Sequence, residues 1–260
     1  MHRILQNLKI ISSITGIDPR KLFALRFIFR FLKDLILWKK NGGRINKIFP
    51  VLADYKDTAG TASGHYFHQD LLVARMIFEH APKRHIDVGS RIDGFVAHLA
   101  SFRQVEVLDV RPMPKSEHEN LIFQQADLME AQGIEITDSL SCLHAIEHFG
   151  LGRYGDPIMI DGDLNGIKSL IEMVKNKGRF YISFPVSALN EVHFNAHRVY
   201  NPSSILELAC VKKNLKLLRF DLVDDQGNLN INVSLGSDFQ QLKYGCGIYT
   251  FEKHADDNEL

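Results

Sequence analysis

The sequence predicts an α/β fold on a mainly parallel, seven-stranded sheet, and three observations carry the prediction. Short apolar runs at 85–88, 105–109, 121–124, 139–143 and 178–184 alternate with stretches of helical periodicity. A glycine turn, Asp87-Val88-Gly89-Ser90-Arg91-Ile92-Asp93-Gly94, follows the first run, and the second run ends in Asp109, 20 positions after Gly89. The last two runs, 215–222 and 244–252, are separated by the loop sequence Asp224-Asp225-Gln226-Gly227-Asn228 with no clear helix, so the final strand is expected to be antiparallel.

At 260 residues the chain can bury one large core. Its formal net charge is zero, which gives no global attraction to nucleic acid. The charge is uneven: residues 1–48 carry +9 and residues 49–260 carry −9. The expected division is therefore a basic, apolar N-terminal helical segment, 1–48, and an α/β domain, 49–260. Cys142, Cys210 and Cys246 are too widely spaced for a disulfide framework or a cysteine zinc motif, and a reducing cytoplasm fits them.

Asp18-Pro19 reads as a helix start and Asn41-Gly42-Gly43 as a stop. Between them Arg26, Arg30, Lys33 and Lys40 share one narrow face, and Phe23, Phe29, Leu32, Leu35, Ile36 and Trp38 fill much of the rest. Such a helix needs a partner. It either packs on the main domain or in a dimer, or lies on an anionic membrane surface from the cytoplasmic side. Lys and Arg interrupt its apolar positions, so neither a signal peptide nor a spanning helix is expected. Residues 41–64 read as a linker. Helices are expected at 66–80, 94–102, 163–176 and 202–213.

The turn and Asp109 together have the layout of a nucleoside-binding βαβ unit, in which glycine lets the backbone approach the ligand and the carboxylate takes ribose hydroxyls. Arg91 and Asp93 stand where a dinucleotide site keeps bare backbone beneath a pyrophosphate. A smaller adenosyl ligand with an ammonium and a carboxylate suits the turn better, with Asp87 or Asp93 facing the first and Arg91 the second. Asp127, after the third run, either accepts from an adenine amine or caps the next turn.

In this order the motifs resemble the class I S-adenosylmethionine-dependent methyltransferases over residues 66–252. The resemblance implies a Rossmann-like sheet, S-adenosylmethionine as cofactor, and a cofactor set of Asp87, Gly89, Ser90, Arg91, Gly94, Asp109 and Asp127. The turn departs from the usual pattern at Arg91 and Asp93, with Gly94 displaced by one. The strings from Asp87 to His98 and from Leu143 to Pro157 resemble, more narrowly, a methyltransferase-like family of unknown function found in nematodes and in bacterial polysaccharide clusters. That family implies a small-molecule or glycan acceptor, and O-methylation of a sugar or glycoconjugate.

His144-Ala145-Ile146-Glu147-His148 matches the inverted zinc-protease string, but it begins at a strand end and soon meets Gly150 and Gly152, whereas that signature needs one helix. At a strand mouth His144, Glu147 and His148 are candidate catalytic residues, as a general base or substrate contact. By similarity to a few metal-assisted methyltransferases, Glu147 and His148 with His193 and His197 are candidate ligands for a divalent ion; a purely structural capping role is the third reading. Arg153 and Tyr154, in a glycine-rich loop, are candidate substrate contacts, through a guanidinium fork and a stacking ring. Two other functions remain open on this fold: a nicotinamide-dependent sugar oxidoreductase or epimerase, which the missing G-x-G-x-x-G disfavours, and a scaffold without catalysis.

Overall fold

The computed structural model describes residues 23–130 and 132–254. The expected helix start at Asp18-Pro19 lies outside them. The chain forms two compact units, Met1–Thr61 and Ala62–Leu260.

In the first unit a 3₁₀ turn, Ala24–Phe27, leads into helix α1, Ile28–Lys40. The stop falls where expected: the Asn41 amide donates to the Leu37 carbonyl at 3.1 Å, and Gly42 follows with φ +80°. Tyr55 ties the segment after the helix back to it. Its hydroxyl donates to Asp34 Oδ2 at 3.0 Å, and the Arg30 guanidinium lies 4.5 Å from its ring centroid. Phe29, Ile36, Leu37 and Trp38 are exposed. No helix among the described residues is long and apolar enough to cross a membrane.

The second unit opens with helix α2, His65–His80, and then builds an eight-stranded sheet. Its strands are β1 His85–Val88, β2 Val105–Asp109, β3 Leu121–Gln125, β4 Thr137–Leu143, β5 Val174–Val186, β8 Leu215–Val223, β9 Leu229–Asn230 and β10 Gly245–Lys253, in the order β3-β2-β1-β4-β5-β10-β8-β9. The first five run parallel, and β10 is antiparallel to both β5 and β8. The expected count of seven is corrected to eight by the two-residue edge strand β9, which pairs Leu229 with Val223 and is too short to show periodicity. Between β5 and β8 lies a small hairpin of β6, Glu191–His193, and β7, His197–Val199.

Helices cover both faces of the sheet, so its central strands are buried throughout. On one face α4, Gly162–Met173, and α5, Ala209–Asn214, bring Ile167, Leu170, Ile171 and Val211 into a core with Leu140, Phe180, Ile182, Phe220 and Tyr249. On the other, α2 and α3, Ala97–Ala100, pack Val73, Ile77 and Leu99 with Val105, Val107, Tyr181 and Ile248. Along β5 the period is two: Phe180 and Ile182 face one core and Tyr181 the other. The expected helix 94–102 is divided. A π-type turn, Ile92–Val96, with Gly94 at φ −121°, ψ −107°, precedes the short α3. The expected helix 202–213 likewise breaks at Leu208, between a 3₁₀ turn and α5.

Beneath the carboxyl ends of β1 and β4 runs a buried polar seam. His85 Nε2 meets the Ser141 hydroxyl at 3.1 Å, and that hydroxyl donates to Asp87 Oδ1 at 2.5 Å. With its proton spent on Asp87, Ser141 accepts from His85 Nε2–H, so Ser139 at 2.8 Å donates to His85 Nδ1. His85 is thereby held as a neutral tautomer, and burial lowers its pKa to about 3.

Candidate active site

A cleft opens at the carboxyl ends of β1, β2 and β4, where open α/β sheets bind ligands. Gly89, Asp109, Asp127, Met129, His144, His148 and Tyr154 are among the residues that line it. Gly89 takes φ +69°, and a Cβ there would stand 2.8 Å from Ala145 Cβ, so the turn passes the start of the β4 loop only as glycine. Asp127 holds the Met129 amide on Oδ1 at 2.9 Å, which presents its carboxylate as an acceptor on the cleft wall.

Asp109 is already engaged. Arg111 grips both of its carboxylate oxygens, Nη2 at 2.5 Å and Nε at 2.9 Å, and the Arg111 amide adds a third bond at 2.8 Å. The same guanidinium lies 4.4 Å from the centroid of the Tyr154 ring. Arg111 was not among the sequence candidates, because nothing in its spacing separates it from a solvated surface arginine.

Asp87, Ser90 and Gly94 do not line this cleft. Asp87 is fully buried and accepts from Ser90 Oγ at 2.7 Å, Ser90 N at 3.2 Å and Ser141 Oγ. Burial raises its pKa to about 7, opposed by those three donors. Those bonds brace the turn. Gly94 packs against buried Asp70, whose Oδ2 a Cβ would approach to 2.9 Å. Arg91 and Asp93 pair with each other at 3.2 Å on the surface, and Arg91 also covers Tyr66.

Beside the cleft is a second cavity, lined by His65, Tyr66, Gly89, Arg111, His144, Glu147, His148, Arg153, His197 and Tyr244 among others. The loop after β4 builds its floor. His144 adopts φ +51° and donates its amide to Ser183, and a 3₁₀ turn, Ile146–His148, then aims Glu147 and His148 inward. Glu147 is buried, with Oε1 2.8 Å from His144 Nδ1 and 3.8 Å from His148 Nε2. His148 Nδ1 donates to the Ala196 carbonyl at 2.7 Å, which makes Nε2 the basic nitrogen. Burial lowers the His148 pKa, with Glu147 opposing and the Arg153 cation reinforcing. Arg153 donates to the same Ala196 carbonyl at 2.8 Å, and Tyr154 packs edge-on to His148 with ring centroids 5.6 Å apart.

The hairpin histidines reach the cavity unequally. His197 lines it, with its ring centroid 6.4 Å from that of His148, whereas His193 turns to Glu191 Oε2 at 2.7 Å on the surface. Among the described residues, Glu147, His148, His193 and His197 do not bring three ligating atoms together. Sequence reasoning missed His65, Tyr66, Tyr244 and Cys246, which arrive from α2, β10 and the loop before β10. Only their meeting in space gives them a role.

The family model described as Caenorhabditis protein of unknown function, DUF268, matches residues 129–218, which hold the loop after β4, the hairpin and α4. No curated protein matches the chain. Among solved structures, the [4+2]-cyclase SpnF is 11% identical over 75% of this chain and 88% of its own, with a TM-score of 0.51. The 1,6-didemethyltoxoflavin-N1-methyltransferase of Burkholderia thailandensis, solved with S-adenosylhomocysteine, is 14% identical over 72% of this chain and 79% of its own, at 0.49. The N-methyltransferase NodS of Bradyrhizobium japonicum is 11% identical over 73% of this chain and 88% of its own, also at 0.49. With its strand order, its antiparallel strand β10 inserted beside β5 and its cleft above β1 and β2, the second unit has a Rossmann-like α/β fold, similar to that of SpnF.

Proposed function

We propose that the chain is a methyltransferase that uses S-adenosylmethionine to methylate a hydroxyl of a sugar or glycoconjugate. The observation that carries this reading is the junction of two cavities at the sheet mouth: an acidic-edged cleft with Gly89, Asp109 and Asp127, and a histidine-floored cavity sharing His144, His148 and Tyr154 with it. The cleft suits an adenosyl amino acid, with Asp127 accepting from adenine and Asp109 from ribose once Arg111 yields one of its oxygens. When bound, the cofactor supplies an electrophilic methyl group on a cationic sulfur.

The chain's residues prepare the acceptor. His148 Nε2 takes the hydroxyl proton, and the buried Glu147 carboxylate 3.8 Å away stabilises the imidazolium that results. Tyr154 and Tyr244 offer ring faces to a sugar, and Arg153 offers a cationic fork to an anionic substituent. The exposed apolar residues of α1, beside Arg30 and Lys33, support contact of the N-terminal segment with a second copy or with an anionic bilayer on the cytoplasmic side. Flotation with anionic vesicles against sizing of the protein alone separates these two.

Calorimetric titration tests the central claim. S-adenosylhomocysteine is expected to bind and NAD not to, with Asp127→Ala weakening the former about tenfold through loss of a charged acceptor. Binding of NAD in its place means an oxidoreductase. Folded protein that binds neither ligand at millimolar concentration means a scaffold, the reading that the closed Arg111–Asp109 pair favours.

A further inference from the structure

A second chemistry is built into the wall of the histidine-floored cavity. His65 at the start of α2, His144 after β4 and Cys246 in β10 bring one ligating atom each within 4.8 Å of one another. These residues are 79 and 102 positions apart in sequence. The His65 and His144 rings stack at 7° with centroids 5.4 Å apart.

The polar surroundings show which atoms are committed. His144 Nδ1 is held by Glu147 Oε1 at 2.8 Å, while His144 Nε2 is buried and makes no hydrogen bond. A carboxylate fixing one ring nitrogen so that the other points its lone pair into a site is the arrangement that orients metal-ligating histidines. The Cys246 thiol makes long contacts of 3.8 Å each to Gln69 Oε1 and the Gly247 carbonyl. Of the three ligating atoms, His144 Nε2 is buried without a hydrogen bond, and the Glu147 carboxylate stands behind its ring.

We propose that His65, His144 and Cys246 bind a borderline-soft divalent cation, with zinc the best match, and that Glu147 orients His144 toward it. Tetrahedral zinc sets its nitrogen and sulfur ligands about 3.3–3.7 Å apart, so the three atoms draw inward by up to about 1 Å. Three protein ligands leave one position open, and His65 and His144 both line the cavity into which it faces. That position takes water or an oxygen or nitrogen of whatever occupies the cavity. Zinc and thiolate pair by softness, which sets this site apart from an oxygen-ligated magnesium or calcium centre. The site stands on its own geometry and does not depend on the methyltransferase reading.

The test uses the full-length protein stripped of metal and titrated with zinc against a chromophoric chelator, then with cobalt as a spectroscopic substitute. One zinc per chain is expected, together with a cobalt–thiolate charge-transfer band. Cys246→Ser is expected to abolish the band, His65→Ala to weaken zinc by more than about 100-fold, and Glu147→Gln by about 10–100-fold. His193→Ala, on the exposed side of the hairpin, leaves zinc affinity unchanged. No stoichiometric zinc in folded wild type, or equal affinity in wild type and His65→Ala, overturns the proposal; so does a loss in His193→Ala matching that in His65→Ala. Cys246 is fully buried, so where Cys246→Ser does not fold, His65→Ala and the wild-type cobalt spectrum decide. S-adenosylhomocysteine binding measured on the same samples keeps the two readings apart. Protein that binds it and no zinc refutes only the metal site, and protein that binds zinc alone refutes only the cofactor.

Discussion

Arg111 holds Asp109 by three bonds and rests on the Tyr154 ring, so one arginine closes the carboxylate that the sheet presents at the end of β2. The pair is part-exposed, and solvent screening limits its net worth to about 1 kcal/mol. In the proposed cofactor pose, ribose hydroxyls compete with it. Arg111→Met is therefore expected to tighten S-adenosylhomocysteine binding about fivefold, as read by calorimetry. Weaker binding in this variant means that Arg111 itself grips the ligand.

Gly89→Ala tests the turn. It meets a left-handed φ and an Ala145 methyl at 2.8 Å together, and each is unfavourable for alanine. A loss of about 2–4 kcal/mol is expected from chemical denaturation. Loss below about 0.5 kcal/mol means that the β1 turn and the β4 loop are free to separate.

The base assignment rests on which nitrogen of His148 is committed. Nδ1 is spent on Ala196, so His148→Gln keeps a polar side chain but loses the basic Nε2. The expected result is a fall in kcat of about 10²–10⁴-fold with cofactor affinity within about twofold of wild type. A change in KM alone reassigns His148 to acceptor binding.

His85 predicts a pH dependence of stability. The unfolded chain protonates a histidine near pH 6.5, whereas in the fold His85 stays neutral down to about pH 3. Between these values the unfolded state binds the extra proton, so this group's contribution is lost as pH falls from 6.5, by up to about 1.4 kcal/mol per pH unit. Asp87 opposes it, because its raised pKa makes the folded state the better proton binder between the usual carboxylate value and about 7. The comparison of wild type with His85→Gln isolates the histidine. Denaturation midpoints at pH 7 and 5 are expected to fall less on acidification in the variant, and parallel slopes refute the buried neutral tautomer.

Much of the sheet is legible in the sequence because burial on both faces leaves continuous apolar runs. Residues 85–88 and 105–109 match β1 and β2 to the residue, and the runs at 215–222 and 244–252 find β8 and β10 within a residue at each end. Strand β9 is too short to have a period, and β6 and β7 have three residues each, so neither leaves a signal. Helix 163–176 overruns because Val174 and the residues after it continue as β5 with almost no loop, and Lys177 absorbs the bend at φ +60°. The site is legible only where it is local. His144, Glu147 and His148 share one turn and are visible as a string; His65 and Cys246 meet them only because α2 and β10 flank the same sheet mouth, and no spacing rule encodes that. Asp87 is the instructive case. Its place at a strand end suggests a ligand contact, but the serines at 90 and 141 turn its carboxylate inward.

Strand β10 lies between β5 and β8, although it is the last of the sheet's strands to be synthesised. Until residues 245–253 leave the ribosome, β5 and β8 each present an unpaired edge, a template for wrong partners during translation. The same segment delivers Cys246 to the sheet mouth. Closing the sheet and bringing His65, His144 and Cys246 together are thus one event in time.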